Sequence, residues 1–321
     1  MPPVIDEPIE DTGAGRGPGG DPRRPYPGLL RTLLLLGAVV VLGGLFYQAT
    51  FWLFPTWPDI ARMAVPTQLA LAVVTAWGVF RSDRPWREAL GFRGLEVRHV
   101  PPLLLVLIGA VTVFSEIYVV IQRFVPVPAE FEAMLRDLLE LTNPADSLAT
   151  LIIAIVIAPV LEEALFRGVI LNGLARRYGP QSASFWTAVF FAVFHLYNPW
   201  QVLPTFFLGL VLAWLVLTTR SLLSAIVVHT MFNAASLTLV QLSLERAPGG
   251  HPVPYVVVVV VLGMLAGSMA LLTGMAWLEK QTGGGWFALP PVVRSSGGGP
   301  SAETLSDSGS GTAAGPTVFR R

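Results

Sequence analysis

Cysteine is absent from this sequence, and that absence excludes disulfides, thiolate nucleophiles and Cys-ligated metals. Charge is scarce as well: 13% of residues are Asp, Glu, Lys or Arg, where a soluble domain carries about a quarter. A chain so poor in charge cannot cover itself with water-loving groups, so its expected solvent is lipid. Positive charge is not in excess, because Lys+Arg and Asp+Glu balance to a net charge of zero. That balance removes the electrostatic basis for a nucleic-acid partner. Lys280 is the only lysine; the skew towards arginine is expected of a GC-rich, bacterial coding sequence.

What the chain has instead is apolar length. Hydrophobic residues make up 53% of it, and the mean hydropathy is +0.62. Residues 1–28, rich in Pro, Gly and acid, cannot bury enough surface to fold and read as a disordered tail. Residues 281–321, rich in Gly and Ser, read the same way. Between them, residues 29–280 form the expected domain, an all-α polytopic transmembrane bundle. Eight runs approach the roughly 20 residues a helix needs to cross a bilayer: about 31–54, 63–80, 101–124, 147–174, 182–198, 201–218, 221–243 and 254–277. Helices are expected because they satisfy their own backbone polar groups, which lipid cannot do. Only YNPWQ joins spans five and six, which predicts a tight hairpin.

Arginine placement sets the expected orientation. Arg81, Arg84, Arg87, Arg93 and Arg98 lie between spans two and three, Arg176 and Arg177 after span four, and Arg220 after span six. The facing loops carry fewer: Arg62, Arg123, Arg136 and Arg246. Both termini are therefore expected in the cytoplasm. In the last span, Gly263 and Gly267 form a small-xxx-small face of the kind that packs helices.

Within the spans the ionisable groups are few: Glu116, Glu162, Glu163, Arg167, His195 and His229. A charge at mid-bilayer costs on the order of 3 kcal/mol even on insertion-based scales, so a cluster of them is by default a functional site. The run APVLEEALFRGVI (158–170) carries three. Glu163 and Arg167 are four apart on one helix face and can pair; a buried Arg cannot shed its proton and requires a partner. Glu162 is rotated by about 100° and left free for proton chemistry. Pro159 deprives the Ile155 carbonyl of its helical donor, so a kink is expected beside Glu162. The alternative is a buried salt bridge and one protonated Glu, serving helix packing alone.

Span five ends FFAVFHLYNP, with the Phe191 ring one turn before His195. Span seven carries HTMFN, which stacks His229 and Asn233 on one face. Two such donors can stabilise a developing oxyanion or serve as an interhelical polar clamp. Counting about 1.5 Å per residue puts Glu162 mid-span, His229 about a third of the way in, and His195 nearer the outer face. Depth alone does not bring the three together. Glu116 reads as a structural hydrogen-bonding group, with a role in the pocket as the alternative.

Taken together, EE-x3-R (Glu162, Glu163, Arg167), F-x3-H (Phe191, His195) and H-x3-N (His229, Asn233), in that order on three spans, resemble the CPBP family of intramembrane proteases. These are also called the Abi or CAAX-protease and bacteriocin-processing family. The resemblance covers about residues 147–240, and the basic WREALGFR segment before span three is similar to a stretch often seen there in the family. It implies an intramembrane endopeptidase, often classed as a metalloprotease, in which Glu162 with His195 activates water and His229 with Asn233 holds the tetrahedral intermediate. Glu163 and Arg167 would keep the site in shape. A zinc site of Glu162, His195 and His229 is one version of this chemistry; metal-free chemistry is the expectation, since Asn233 one turn from His229 suits an oxyanion hole better than a ligand shell. The implied partners are the lipid bilayer and a membrane-associated protein or peptide substrate, and the implied location is a bacterial cell membrane. Two other classes compete: a non-catalytic scaffold or immunity protein keeping the motif for folding, and a proton-coupled transporter, which lacks the expected paired broken helices.

Overall fold

The computed structural model describes residues 25–55, 59–82, 84–130, 133, 144–244 and 253–285. Most of both expected tails lies outside the described residues. Among the described residues there are helices and turns and no strand. Helix α1 spans Leu29–Leu53, α2 Asp59–Phe80, the short α3 Trp86–Leu90 and α4 Val100–Phe124. A long helical stretch, α5, runs over residues 144–178. It is followed by α6 Pro180–Phe194, α7 Val202–Thr219, α8 Leu222–Leu244 and α9 Val253–Thr282. The eight expected spans are all found as helix, in their expected order.

Among the described residues, six stretches are long and apolar enough to cross a membrane: Leu29–Leu53, Val97–Phe124, Leu148–Tyr178, Pro199–Thr219, Leu222–Leu239 and Val258–Thr282. This is the composition of an integral membrane protein. The apolar part of α2, Ala64–Phe80, is shorter. Helix α6 departs further from expectation. It has 15 residues, about 22 Å of helix against about 30 Å of hydrocarbon, and stops at Phe194 where the apolar run suggested 198.

The second departure lies inside α5. The kink expected at Pro159 is replaced by a change of helix type. Pro144–Ile152 is α-helical, Ile153–Ile157 is π, Ala158–Glu163 is α, Ala164–Leu171 is π again, and Asn172–Tyr178 returns to α. The missing N–H of Pro159 is absorbed by the wider turn before it, where Ala158 N–H reaches back to the Ile153 carbonyl. Such π turns are rare and gather at functional sites. Here they bracket the two glutamates.

The core lies where the second π stretch meets α7. Leu165, Phe166, Ile170 and Leu171 are wholly buried, as are Leu212, Ala213, Trp214 and Leu215. The WREALGFR segment forms α3, which rests on α5: a Cβ at Gly168 would stand 2.6 Å from Leu90 Cδ2, and Asn172 Nδ2 donates to the Ala89 carbonyl at 3.2 Å. Tyr26, within the expected N-terminal tail, packs against the core cluster. On the other side of the bundle α4 and α9 lie in close contact along their length, with Gly109, Gly263, Gly267 and Gly274 at the seam. The small-xxx-small face of the last span is thus a packing face.

Candidate active site

Three helices supply the site. Helix α5 carries Glu162, Glu163 and Arg167, α6 carries Phe191 with His195 as its C-cap, and α8 carries His229 and Asn233. Glu163 and Arg167 have no accessible side-chain surface, and Arg167 Nη1 donates to Glu163 Oε1 at 2.8 Å. This is the expected i,i+4 pair. Two further contacts engage the guanidinium, while its buried Nε has no hydrogen-bond partner among the described residues. Nη2 donates to the Gly209 carbonyl at 3.2 Å, and the Phe191 ring lies 4.3 Å from the guanidinium carbon, a cation–π contact. Gly209 is needed for close approach: a Cβ there would sit 3.0 Å from Ala188 Cα, parting α6 from α7.

The second partner of Glu163 comes from 66 residues away. His229 Nδ1 lies 2.9 Å from Glu163 Oε1. A carboxylate held by Arg167 is ionised and only accepts, so Nδ1 carries the proton and donates. Nε2 then faces Glu162 Oε2 at 3.9 Å, an ion-pair distance too long for a hydrogen bond. The Glu162 side chain keeps 15% of its surface accessible against 3% for His229. Two adjacent glutamates thus meet different surroundings, Glu163 sealed and doubly bonded, Glu162 open on one side.

His195 caps α6 at φ −100° and ψ 13°, the sparsely populated bridge region where active-site residues recur. Its Nδ1 lies 2.8 Å from the Phe191 carbonyl. A carbonyl only accepts, so Nδ1 carries a proton, and in the neutral ring the lone pair is on Nε2. The Phe191 ring joins the two histidines, with its centroid 4.8 Å from His195 and 5.6 Å from His229. Helix α6 ends at Phe194, so His195 stands at its C-cap rather than within a continuing span. Asn233 Nδ2 donates to the Ala154 carbonyl at 3.0 Å, in the first π stretch. One amide hydrogen remains for another acceptor.

Glu162 forms no ion pair with His195 among the described residues; its contact is with His229. Glu162, His195 and His229 are likewise not gathered closely enough to hold a metal ion, and no group of three or more His, Asp or Glu side chains is, among the described residues. The donor geometry does not fit zinc, and no step is routed through it. Two features of this site have no signal in the sequence: the Gly209 carbonyl on Arg167, and the Tyr197 ring, whose centroid lies 5.8 Å from that of His195.

Residues 144–235 match the family described as "Rce1-like: Type II CAAX prenyl endopeptidase Rce1-like". This segment is similar to that family. The match takes in all seven residues of the three motifs and bears out the resemblance they carry. It points to a CAAX-type membrane endopeptidase. No curated protein matches the chain, and no solved structure does.

Proposed function

We propose that this chain is an intramembrane endopeptidase in which Glu162 and His195 activate a water molecule, while His229 and Asn233 receive the negative charge that develops. The observation that carries this reading is the contrast between the two glutamates. Glu163 is committed to Arg167 and His229, and Glu162 beside it is the accessible carboxylate. A water between Glu162 and the His195 Nε2 lone pair gives up its proton to the carboxylate as its oxygen bonds the scissile carbonyl carbon. The carbonyl electron pair moves onto oxygen, towards His229 and the free Asn233 hydrogen. When the C–N bond breaks, the proton held by Glu162 goes to the leaving amine.

This scheme fixes the charge of His229. With Nδ1–H spent on Glu163, the ring donates from Nε2 only as an imidazolium. Glu162 and Glu163 flank that cation, and with Arg167 the four groups sum to zero charge. A neutral quartet is the form that an apolar interior tolerates.

The substrate is a membrane-associated protein or peptide. The likeness to type II CAAX prenyl endopeptidases makes a prenylated CAAX terminus the first one to try, with both termini of the enzyme cytoplasmic and a bacterial cell membrane as its location. The test is purified protein in proteoliposomes, given a prenylated CAAX peptide and its unprenylated counterpart. Glu162→Gln should lower turnover by about 10²–10⁴-fold, the usual contribution of a general base. Turnover equal to wild type would remove Glu162 from the chemistry and return the site to a role in folding.

A further inference from the structure

The turn between α6 and α7 is anchored and yet presents two side chains. Asn198 and Trp200 are buried. Asn198 N–H closes the turn on the His195 carbonyl at 2.9 Å, and Trp200 Nε1 donates to the Val125 carbonyl at 2.7 Å, tying the turn to the end of α4. Between these anchors Tyr197 has 76% of its surface accessible. Its ring nevertheless lies beside the His195 imidazole, 5.8 Å between centroids and 33° between planes. Tyr197 is therefore a largely exposed side chain whose ring lies against the imidazole.

We propose that Tyr197 is a positioning residue for His195, its ring holding the imidazole so that Nε2 stays on the side of the reacting water. This rests on the function proposed above. Three contacts fix the imidazole: the Phe191 carbonyl on Nδ1, the Phe191 ring at 63°, and Tyr197 at 33°. The first two come from within α6. Tyr197 alone comes from beyond α6, on the following turn, which Asn198 and Trp200 hold in place. Packing supplies this restraint, so the ring matters and the hydroxyl does not.

The test compares Tyr197→Phe and Tyr197→Ala in the proteoliposome assay, with Glu162→Gln alongside. Tyr197→Phe should keep kcat within about twofold of wild type. Tyr197→Ala should lose about tenfold or more in kcat at unchanged KM, the pattern of an interaction made in the transition state. Wild-type kcat for Tyr197→Ala overturns the proposal, and so does equal loss for Tyr197→Phe, which would make the hydroxyl the working group. The second readout needs no activity. The chain has four histidines, and in ¹⁵N-histidine-labelled protein the His195 ring signals are assigned by their disappearance in His195→Gln. Tyr197→Ala should shift them while Tyr197→Phe leaves them in place; no shift in Tyr197→Ala overturns the proposal even if Glu162→Gln proves active. Loss in Glu162→Gln with none in Tyr197→Ala sinks Tyr197 and spares the protease reading.

Discussion

Two carboxylates within the apolar helices of this bundle, Glu163 and Glu116, are treated in opposite ways. Glu163 on α5 is sealed from solvent and meets a guanidinium at 2.8 Å and an imidazole at 2.9 Å. Its helix gives up regular α geometry on both sides of it. Glu116 on α4 is half-buried, stays in a regular helix, and has no hydrogen bond or ion pair among the described residues. Its neighbour is instead a glycine: a Cβ at Gly263 would stand 2.5 Å from Glu116 Oε1. Glu163 is given partners, Glu116 is given room. Only the first arrangement organises other side chains, because a buried charge with fixed partners also fixes where those partners point.

The comparison breaks hardest at Arg167. Arg167→Ala leaves Glu163 ionised, buried and held by His229 alone, a change that costs about 3–5 kcal/mol. We expect the variant to fail to accumulate, or to melt far below wild type in a thermal aggregation assay in detergent. Arg167→Lys should recover part of the loss, since a lysine keeps the charge and forfeits the fork to Gly209 and the face against Phe191. A stable Arg167→Ala protein would mean that Glu163 does not depend on its guanidinium. Next comes Asn233→Ala. It removes one oxyanion donor, worth about 10²–10³ in kcat, and one interhelical hydrogen bond, worth about 0.6 kcal/mol in a membrane. Activity should therefore collapse in a protein that still folds. Equal damage to both would make Asn233 a clamp between α8 and the π stretch of α5.

Much of this was legible in the chain itself, for reasons that the residues make clear. Helix count and order follow from apolar run length, which lipid reads without regard to detail. Pairs one turn apart, Glu163 with Arg167 and Phe191 with His195, follow from the helical period. Pairs from distant elements have no such rule. Nothing in the sequence joins Glu163 to His229, Arg167 to the Gly209 carbonyl or Asn233 to the Ala154 carbonyl. The π turns were half legible, since Pro159 announces a lost hydrogen bond and not how it is absorbed. The end of α6 was hidden because Leu196 and Tyr197 continue the apolar run while the backbone turns; Pro199 was its one mark.

Gly109 tests the other half of the comparison. Its Cβ would meet backbone atoms of Gly267 and Leu271 on α9, which no rotamer change can move aside. Gly109→Ala should destabilise by about 1–3 kcal/mol through overpacking, partly offset by about 1 kcal/mol of helix propensity. Its kcat should match wild type once the protein is folded.

The smallest effect belongs to Glu116. If room is all it is given, Glu116→Gln changes almost nothing, because glutamine has the same shape and asks the same space of Gly263. Thermal stability should stay within about 0.5 kcal/mol of wild type, and turnover should be unchanged. Glu116→Ala then measures packing alone, and its loss should be relieved by Gly263→Ala, which refills the slot from the other helix. A double variant no better than Glu116→Ala would show that the carboxyl does more than occupy that slot. A tenfold fall in turnover for Glu116→Gln at normal stability would bring α4 into the site, and the contrast between the two carboxylates would fail.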